Sequence, residues 1–174
     1  RKVKTRLIHV KEISTLKKNI KKVVKYDLEK IILKRKNFLK NVNFEHVTIM
    51  GILNLTPDSF SDGGKFNNNK KALKQISYMI KSGAKIIDIG GESTRPGSKT
   101  IDPSKEWKRV RYIVENFKKK YKKICLSIDT RKSDIMIKSI KNGADIINDV
   151  SGFNFDPNII FKLKNYNIPK VLHH

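Results

Sequence analysis

The sequence predicts an α/β fold, a (β/α)8 TIM barrel of which the chain carries about the first four to five strand and helix units behind a basic N-terminal extension. Two observations lead there. From His46 onward, short apolar runs alternate with stretches of helical spacing, the pattern of repeated βα units in a parallel sheet. Four consecutive runs then end in polar residues, so one edge of the sheet collects side chains able to meet a ligand. In a barrel that edge is a ring converging on one pocket, and in an open doubly wound sheet it is a line. A dinucleotide-binding sheet would also carry G-x-G-x-x-G after its first strand, and no such pattern follows residue 53.

Residues 1–46 read apart from the rest as a basic, partly helical extension, and 47–174 as the barrel part. Leu7-Ile8-His9-Val10 could form a short strand. Ile20, Val23, Val24, Leu28, Ile31 and Ile32 recur at helical spacing within 20–39, which predicts an amphipathic helix with a solvated lysine face. Asn41 to Phe44 reads as a connector. The predicted strands are 47–53, 85–89, 124–128, 145–147 and 168–172, and the predicted helices 70–82, 104–122, 133–142 and 157–165. Gly83 and Gly143 follow two of these helices, where a left-handed C-terminal cap is wanted. Trp107 is expected to pack against the barrel, and His9 and His46 are read as incidental.

Strand ends carry the polar groups. The first run closes at Asn54, and the second contains Asp88 and opens into Gly90-Gly91-Glu92-Ser93-Thr94-Arg95-Pro96-Gly97. The third closes at Asp129-Thr130 and the fourth at Asn148-Asp149. Each acid or amide, taken singly, could equally cap the next helix or turn. Their joint occurrence on one edge favours a ligand site. Between Asn54 and Gly64 the loop crowds Thr56, Asp58, Ser59, Ser61 and Asp62 around Pro57, more polar chemistry than a connector needs.

Composition sets the outer bounds. The chain has 174 residues and a formal net charge of +23, a balance that ordinarily points to nucleic acid or an anionic surface. The excess, however, is 32 Lys against 7 Arg, accompanied by 24 Ile and 15 Asn. Biased base composition produces that pattern, and arginine, the better bidentate phosphate ligand, is not enriched. No specific nucleic-acid partner and no membrane partner are expected. Cys125 is the single cysteine, so an internal disulfide is excluded and a cytoplasmic, reducing setting is the expectation. No apolar run is long enough to span a bilayer.

At these motifs the sequence resembles dihydropteroate synthase. GILNLTPDSFSDGG at 51–64 and DIGGESTRPGS at 88–98 are similar to that family's first two signatures, and SIDTRKSD at 127–134 and ADIINDVSG at 144–152 to its third and fourth strand ends. The resemblance implies a condensation. Para-aminobenzoate would displace pyrophosphate from 6-hydroxymethyl-7,8-dihydropterin pyrophosphate, giving 7,8-dihydropteroate in folate synthesis. It implies Mg²⁺ held by Asn54, a pterin held by Asp129 and Asn148, and an amine ring walled by Phe60 and Pro96. Asp62 would support developing positive charge as a catalytic residue. Thr94 and the catalytic Arg95 would engage substrate or the leaving pyrophosphate, and sulfonamides would compete for the amine position.

A complete barrel has eight units in about 250 residues, so the sequence reads as a truncated chain or partial gene, and residues 1–174 by themselves are expected to be inactive. The resemblance implies a homodimer for the full-length enzyme. Two other readings compete. A methyltetrahydrofolate-binding methyltransferase barrel shares the architecture, but the TPDSFSDGG and ESTRPG loops favour the synthase. A non-enzymatic basic remnant would bind polyanions with steep salt dependence.

Overall fold

The computed structural model describes residues 10–32, 38–39, 42–56, 65–93 and 97–173. The chain divides into two compact units, residues 1–37 and 38–174. In the first, a 3-10 turn at Val10–Thr15 precedes α1 (Lys18–Ile32). The predicted strand around Leu7 lies outside the described residues, apart from Val10 in the 3-10 turn. The predicted helix is present as α1, while Phe38 and Leu39, at its expected end, form a strand instead. Ile20 and Val23, expected to pack, are 48% and 60% exposed, so α1 presents apolar as well as basic side chains to solvent.

The second unit opens with a hairpin, β1 (Phe38–Leu39) and β2 (Val42–Asn43), where the sequence suggested the end of a helix and a connector. Five parallel strands follow in sequence order: β3 (Met50–Asn54), β4 (Ile86–Gly90), β5 (Cys125–Asp129), β6 (Ile146–Asp149) and β7 (Lys170–Leu172). Between them run α2 (Lys65–Lys81), α3 (Pro103–Lys120), α4 (Ser133–Lys141) and α5 (Ile159–Leu163). Val47 is 97% exposed, so the first barrel strand begins at Met50 and not at Val47.

Helix placement decides between barrel and open sheet. Ala72 and Ile76 of α2, Val110, Ile113 and Phe117 of α3, Ile135 and Met136 of α4, and Ile159 and Leu163 of α5 share one core. The strand residues in that core are Leu53, Ile87, Ile89, Leu126, Ile128 and Ile147. Side chains alternate across a strand, so these belong to a single face. Helices on one face of a consecutively ordered parallel sheet are the arrangement of a barrel wall. A doubly wound sheet places helices on both.

The opposite face forms its own small cluster. Ile86, Cys125 and Ile146 pack there with Val42 of β2, and Leu39 lies against them. The hairpin therefore covers the N-terminal end of the inner face, and the polar residues occupy the C-terminal end. Ile52, on the same face, is 64% exposed, and Val171 and Leu172 of β7 are also exposed. Among the described residues, β3 and β7 each have one strand neighbour.

Local chemistry explains the boundaries. Asp102 caps α3 by accepting a hydrogen bond from the Ser104 amide at 2.7 Å, with Pro103 as the first helical residue. The buried stripe Glu106, Val110, Ile113, Val114 and Phe117 then keeps helical spacing along α3. Trp107 packs on the edge of the main core. Gly83 and Gly143 adopt φ of +103° and +92° just past α2 and α4, the left-handed caps that the sequence predicts.

Candidate active site

Strand register assembles the site. Asn54 pairs with Gly90, Gly90 with Asp129, Asp129 with Asn148, and Asn148 with Val171. These residues form one row across the C-terminal ends of the strands. Because side chains alternate, the row belongs to the inner face that carries Ile86, Cys125 and Ile146 further down. Asp88 and Ser127, two residues before Gly90 and Asp129, sit one layer below on that face and pair across β4 and β5.

Gly90 leaves the row open. A β-carbon there would lie 3.2 Å from Asn54 Oδ1 and 3.4 Å from Asp129 Oδ2, so both oxygens border the space that a side chain would fill. Asp129 is half-buried, and its Oδ1 has no hydrogen-bond partner among the described residues. Asp88 is buried, and its Oδ1 is likewise unpartnered, while its Oδ2 accepts a hydrogen bond from Asn148 Nδ2 at 3.0 Å. Unsatisfied buried carboxylate oxygens are costly. Their presence together at a strand-end row marks a place where a ligand's N–H groups can complete the bonding.

Electrostatics follow from the crowding of acids. Burial, and then the charges of Asp88, Glu106, Asp149 and Glu92, push the Asp129 carboxyl up to about 7. Burial also raises Asp88 above the ordinary carboxylate value, against the opposing influence of nearby Ser127, Asn148 and His173. The structure thus stores two carboxylates whose charged forms want donors.

Beside the row lies a buried ion cluster. Lys132 Nζ donates to Glu92 Oε1 at 2.9 Å and to Glu106 Oε2 at 2.5 Å. Arg131 Nε donates to Glu92 Oε2 at 2.9 Å, and its guanidinium lies 4.0 Å from the centre of the Phe155 ring. Thr130 Oγ1 donates to Glu106 Oε1, and the Ile101 amide donates to Glu92 Oε1. Burial alone would raise Glu92, but the bonds from Arg131 and Lys132 outweigh it and hold the carboxyl below its ordinary value. The cluster ties the segment after β4 to α3 and to the turn between β5 and α4. Gly91 completes that join, since a β-carbon there would meet Val110 Cγ1 at 2.9 Å and the Glu106 carbonyl oxygen at 3.1 Å.

Of the residues expected from sequence, Asn54, Asp129 and Asn148 are brought together on the row. Phe60, Asp62, Thr94, Arg95 and Pro96 lie outside the described residues. Asp149, adjacent to Asn148, serves the other face. Its carboxylate accepts hydrogen bonds from the amides of Ser151 and Phe153 and from the Ser151 hydroxyl, fixing the turn that follows β6. The sequence assigns no binding role to Asp88, the ion cluster or His173. His173 Nε2 lies 3.1 Å from Asn148 Oδ1. Counting back by two from Gly90 would have placed Asp88 on the inner face. Among the described residues no group of three or more His, Cys, Asp or Glu side chains has the arrangement of a metal site, and no helix is long and apolar enough to cross a membrane.

Comparison with known proteins agrees with this geometry. Residues 50–174 match the model of the pterin binding enzyme family. The dihydropteroate synthase of Bacillus subtilis is 45% identical over 130 residues, which is 75% of this chain and 45% of that protein. That of Clostridium beijerinckii is 47% identical over 130 residues, 75% of this chain and 48% of its own length. Among solved structures, a dihydropteroate synthase from Clostridium difficile in the presence of pteroic acid superposes with a TM-score of 0.70 and 42% identity, over 75% of this chain and 49% of that one. The Xanthomonas albilineans synthase with 4-aminobenzoic acid gives a TM-score of 0.71 and 35% identity, over 76% and 48%. The chain spans about half the length of the curated relatives it matches. With strand order, helix placement and the strand-end row in agreement with that match, the chain belongs to the pterin-binding enzyme family.

Proposed function

We propose that the natural polypeptide carrying this chain is a dihydropteroate synthase. The observation that carries the reading is the side-by-side placement of Asp129 and Asn148 on the strand-end row, beside unpartnered carboxylate oxygens. A pterin presents a cyclic amide and an amino group along one edge. A carboxylate accepts two N–H bonds in a plane, and an amide both donates and accepts, so the pair matches that edge. Structures of relatives with pteroic acid and with 4-aminobenzoic acid support the same substrates.

In the reaction the amine nitrogen of para-aminobenzoate forms a bond to the pterin methylene carbon as the carbon–oxygen bond to pyrophosphate breaks. The amine proton is released, and pyrophosphate carries away the electron pair. Asp129 and Asn148 would hold the ring and fix the direction of the methylene group. On the family pattern, Asp62 would support positive charge at that carbon, Thr94 and Arg95 would engage the leaving group, and Phe60 and Pro96 would wall the amine.

On the family pattern Asn54 would hold Mg²⁺, and its side-chain amide oxygen, which borders the open space above Gly90, is a hard donor of the type that ion takes. When bound, Mg²⁺ would offset negative charge on the departing pyrophosphate. Asn54→Ala is therefore expected to raise the Mg²⁺ concentration for half-maximal turnover by about 10-fold, read from a magnesium titration. An unchanged midpoint would remove Asn54 from the metal site.

The direct test is pteroate formation by the longest natural polypeptide that contains these residues. Pyrophosphate release should require para-aminobenzoate and the pterin substrate together, and sulfonamides should compete with the amine. Residues 1–174 expressed by themselves should give no turnover. Methyl transfer from a methyltetrahydrofolate without pteroate formation would overturn the proposal.

A further inference from the structure

The amide of Asn148 is held at both ends. Its Nδ2 faces Asp88 Oδ2 at 3.0 Å, and its Oδ1 faces His173 Nε2 at 3.1 Å. A carboxylate is an acceptor only, so the amide nitrogen must be the atom turned toward Asp88. The oxygen then faces His173, and the imidazole must donate through Nε2–H. The order of donation runs from His173 to Asn148 to Asp88.

This arrangement leaves a defined remainder. A primary amide has two N–H groups and two lone pairs on oxygen. With one of each used, Asn148 keeps one donor and one acceptor. Flipping the amide would set oxygen against the Asp88 carboxylate and nitrogen against an N–H, and would exchange the free donor and acceptor.

The end of β7 is itself fixed. The His173 amide donates to the Asp149 carbonyl at 3.2 Å, and the His173 carbonyl oxygen lies 2.7 Å from where a β-carbon on Gly152 would sit. Gly152 has φ of +60°, so both its backbone and its lack of a side chain let the turn after β6 close on that strand end.

We propose that His173 is a positioning residue for pterin recognition, acting through Nε2–H to lock the Asn148 amide in the orientation that offers the pterin one donor and one acceptor. The inference rests on the pterin reading of Asp129 and Asn148 given above, and it adds Asp88 and His173 to that recognition as an orienting pair. His173→Leu removes the donor and keeps an apolar side chain. His173→Gln keeps a donor in reach of Asn148.

The test uses the longest natural polypeptide that carries these residues. His173→Leu should raise KM for the pterin pyrophosphate about 5- to 10-fold, the scale of one lost hydrogen bond, with KM for para-aminobenzoate and kcat near the parent values. His173→Gln should recover most of the loss. Independently of turnover, the ring-nitrogen NMR spectrum of the neutral His173 imidazole should show the proton on Nε2. A proton on Nδ1, a parental pterin KM in His173→Leu, or equal rises in both KM values with a lower melting temperature would each overturn the proposal. Absence of turnover in the parent would instead count against the synthase reading, and the ring spectrum would still decide whether the amide is locked.

Discussion

An Asp129→Asn variant is expected to melt higher than the parent at pH 8 while losing about 100-fold or more in pterin affinity. Both effects come from one carboxyl group. Its value is pushed from 3.8 up to about 7 by burial and by neighbouring acids, so the folded protein binds that proton more tightly than the unfolded chain does. Stability therefore falls as pH rises from about 4 toward about 7, and the loss is complete above that window. Asparagine is neutral throughout. The difference in melting temperature between variant and parent should be small near pH 4, grow through the window and stay constant above it. Binding moves the other way, because an amide sets an NH2 donor where the carboxylate offers its second acceptor oxygen. Melting curves from pH 4 to 8, together with a pterin titration at pH 8, read the two quantities. A variant that binds pterin like the parent would refute the role proposed for Asp129. A pH-independent melting difference would refute the electrostatic account.

The same residue shows what the sequence makes legible. A polar side chain that closes an apolar run marks the end of a strand, and parallel pairing aligns such ends. Asn54, Asp129 and Asn148 could therefore be found without coordinates. Asp88 could not be separated so readily, because isoleucine flanks it on both sides. Ile86 faces the hairpin, while Ile87 and Ile89 face the helices, and with the same residue type on both faces the two-residue period disappears. Barrel and open sheet were likewise undecided by alternation, since the choice depends on which face each helix covers. The role proposed for His173 depends on the register that places β7 beside β6, which the sequence does not show. Lys132 was one lysine among 32, and nothing in the neighbouring residues distinguishes a buried lysine from those that solvate helix faces.

That lysine carries the other large expected effect. Lys132→Met should destabilise the fold by about 3–5 kcal/mol, the scale for removing one partner from a buried ion pair, and lower the melting temperature by roughly 10 °C. Methionine can fill much of the volume of the lysine stem, so the loss is electrostatic. Glu92 and Glu106 would remain buried, at 5% and 1% exposure, without the ammonium that joins them. Arg131 still reaches Glu92 and Thr130 still reaches Glu106, which leaves Glu106 with the weaker compensation. Adding Glu106→Gln to Lys132→Met should therefore recover part of the stability, although Glu106→Gln alone should be destabilising. Opposite signs for one substitution in two backgrounds are what direct coupling requires and what independent packing defects do not produce. Additive losses in the double variant would show that Lys132 acts through its packing. Recovery would show that the charges, and not the volume of the stem, join the segment after β4 to α3 and the β5–α4 turn, and so hold two flanks of the strand-end row in place.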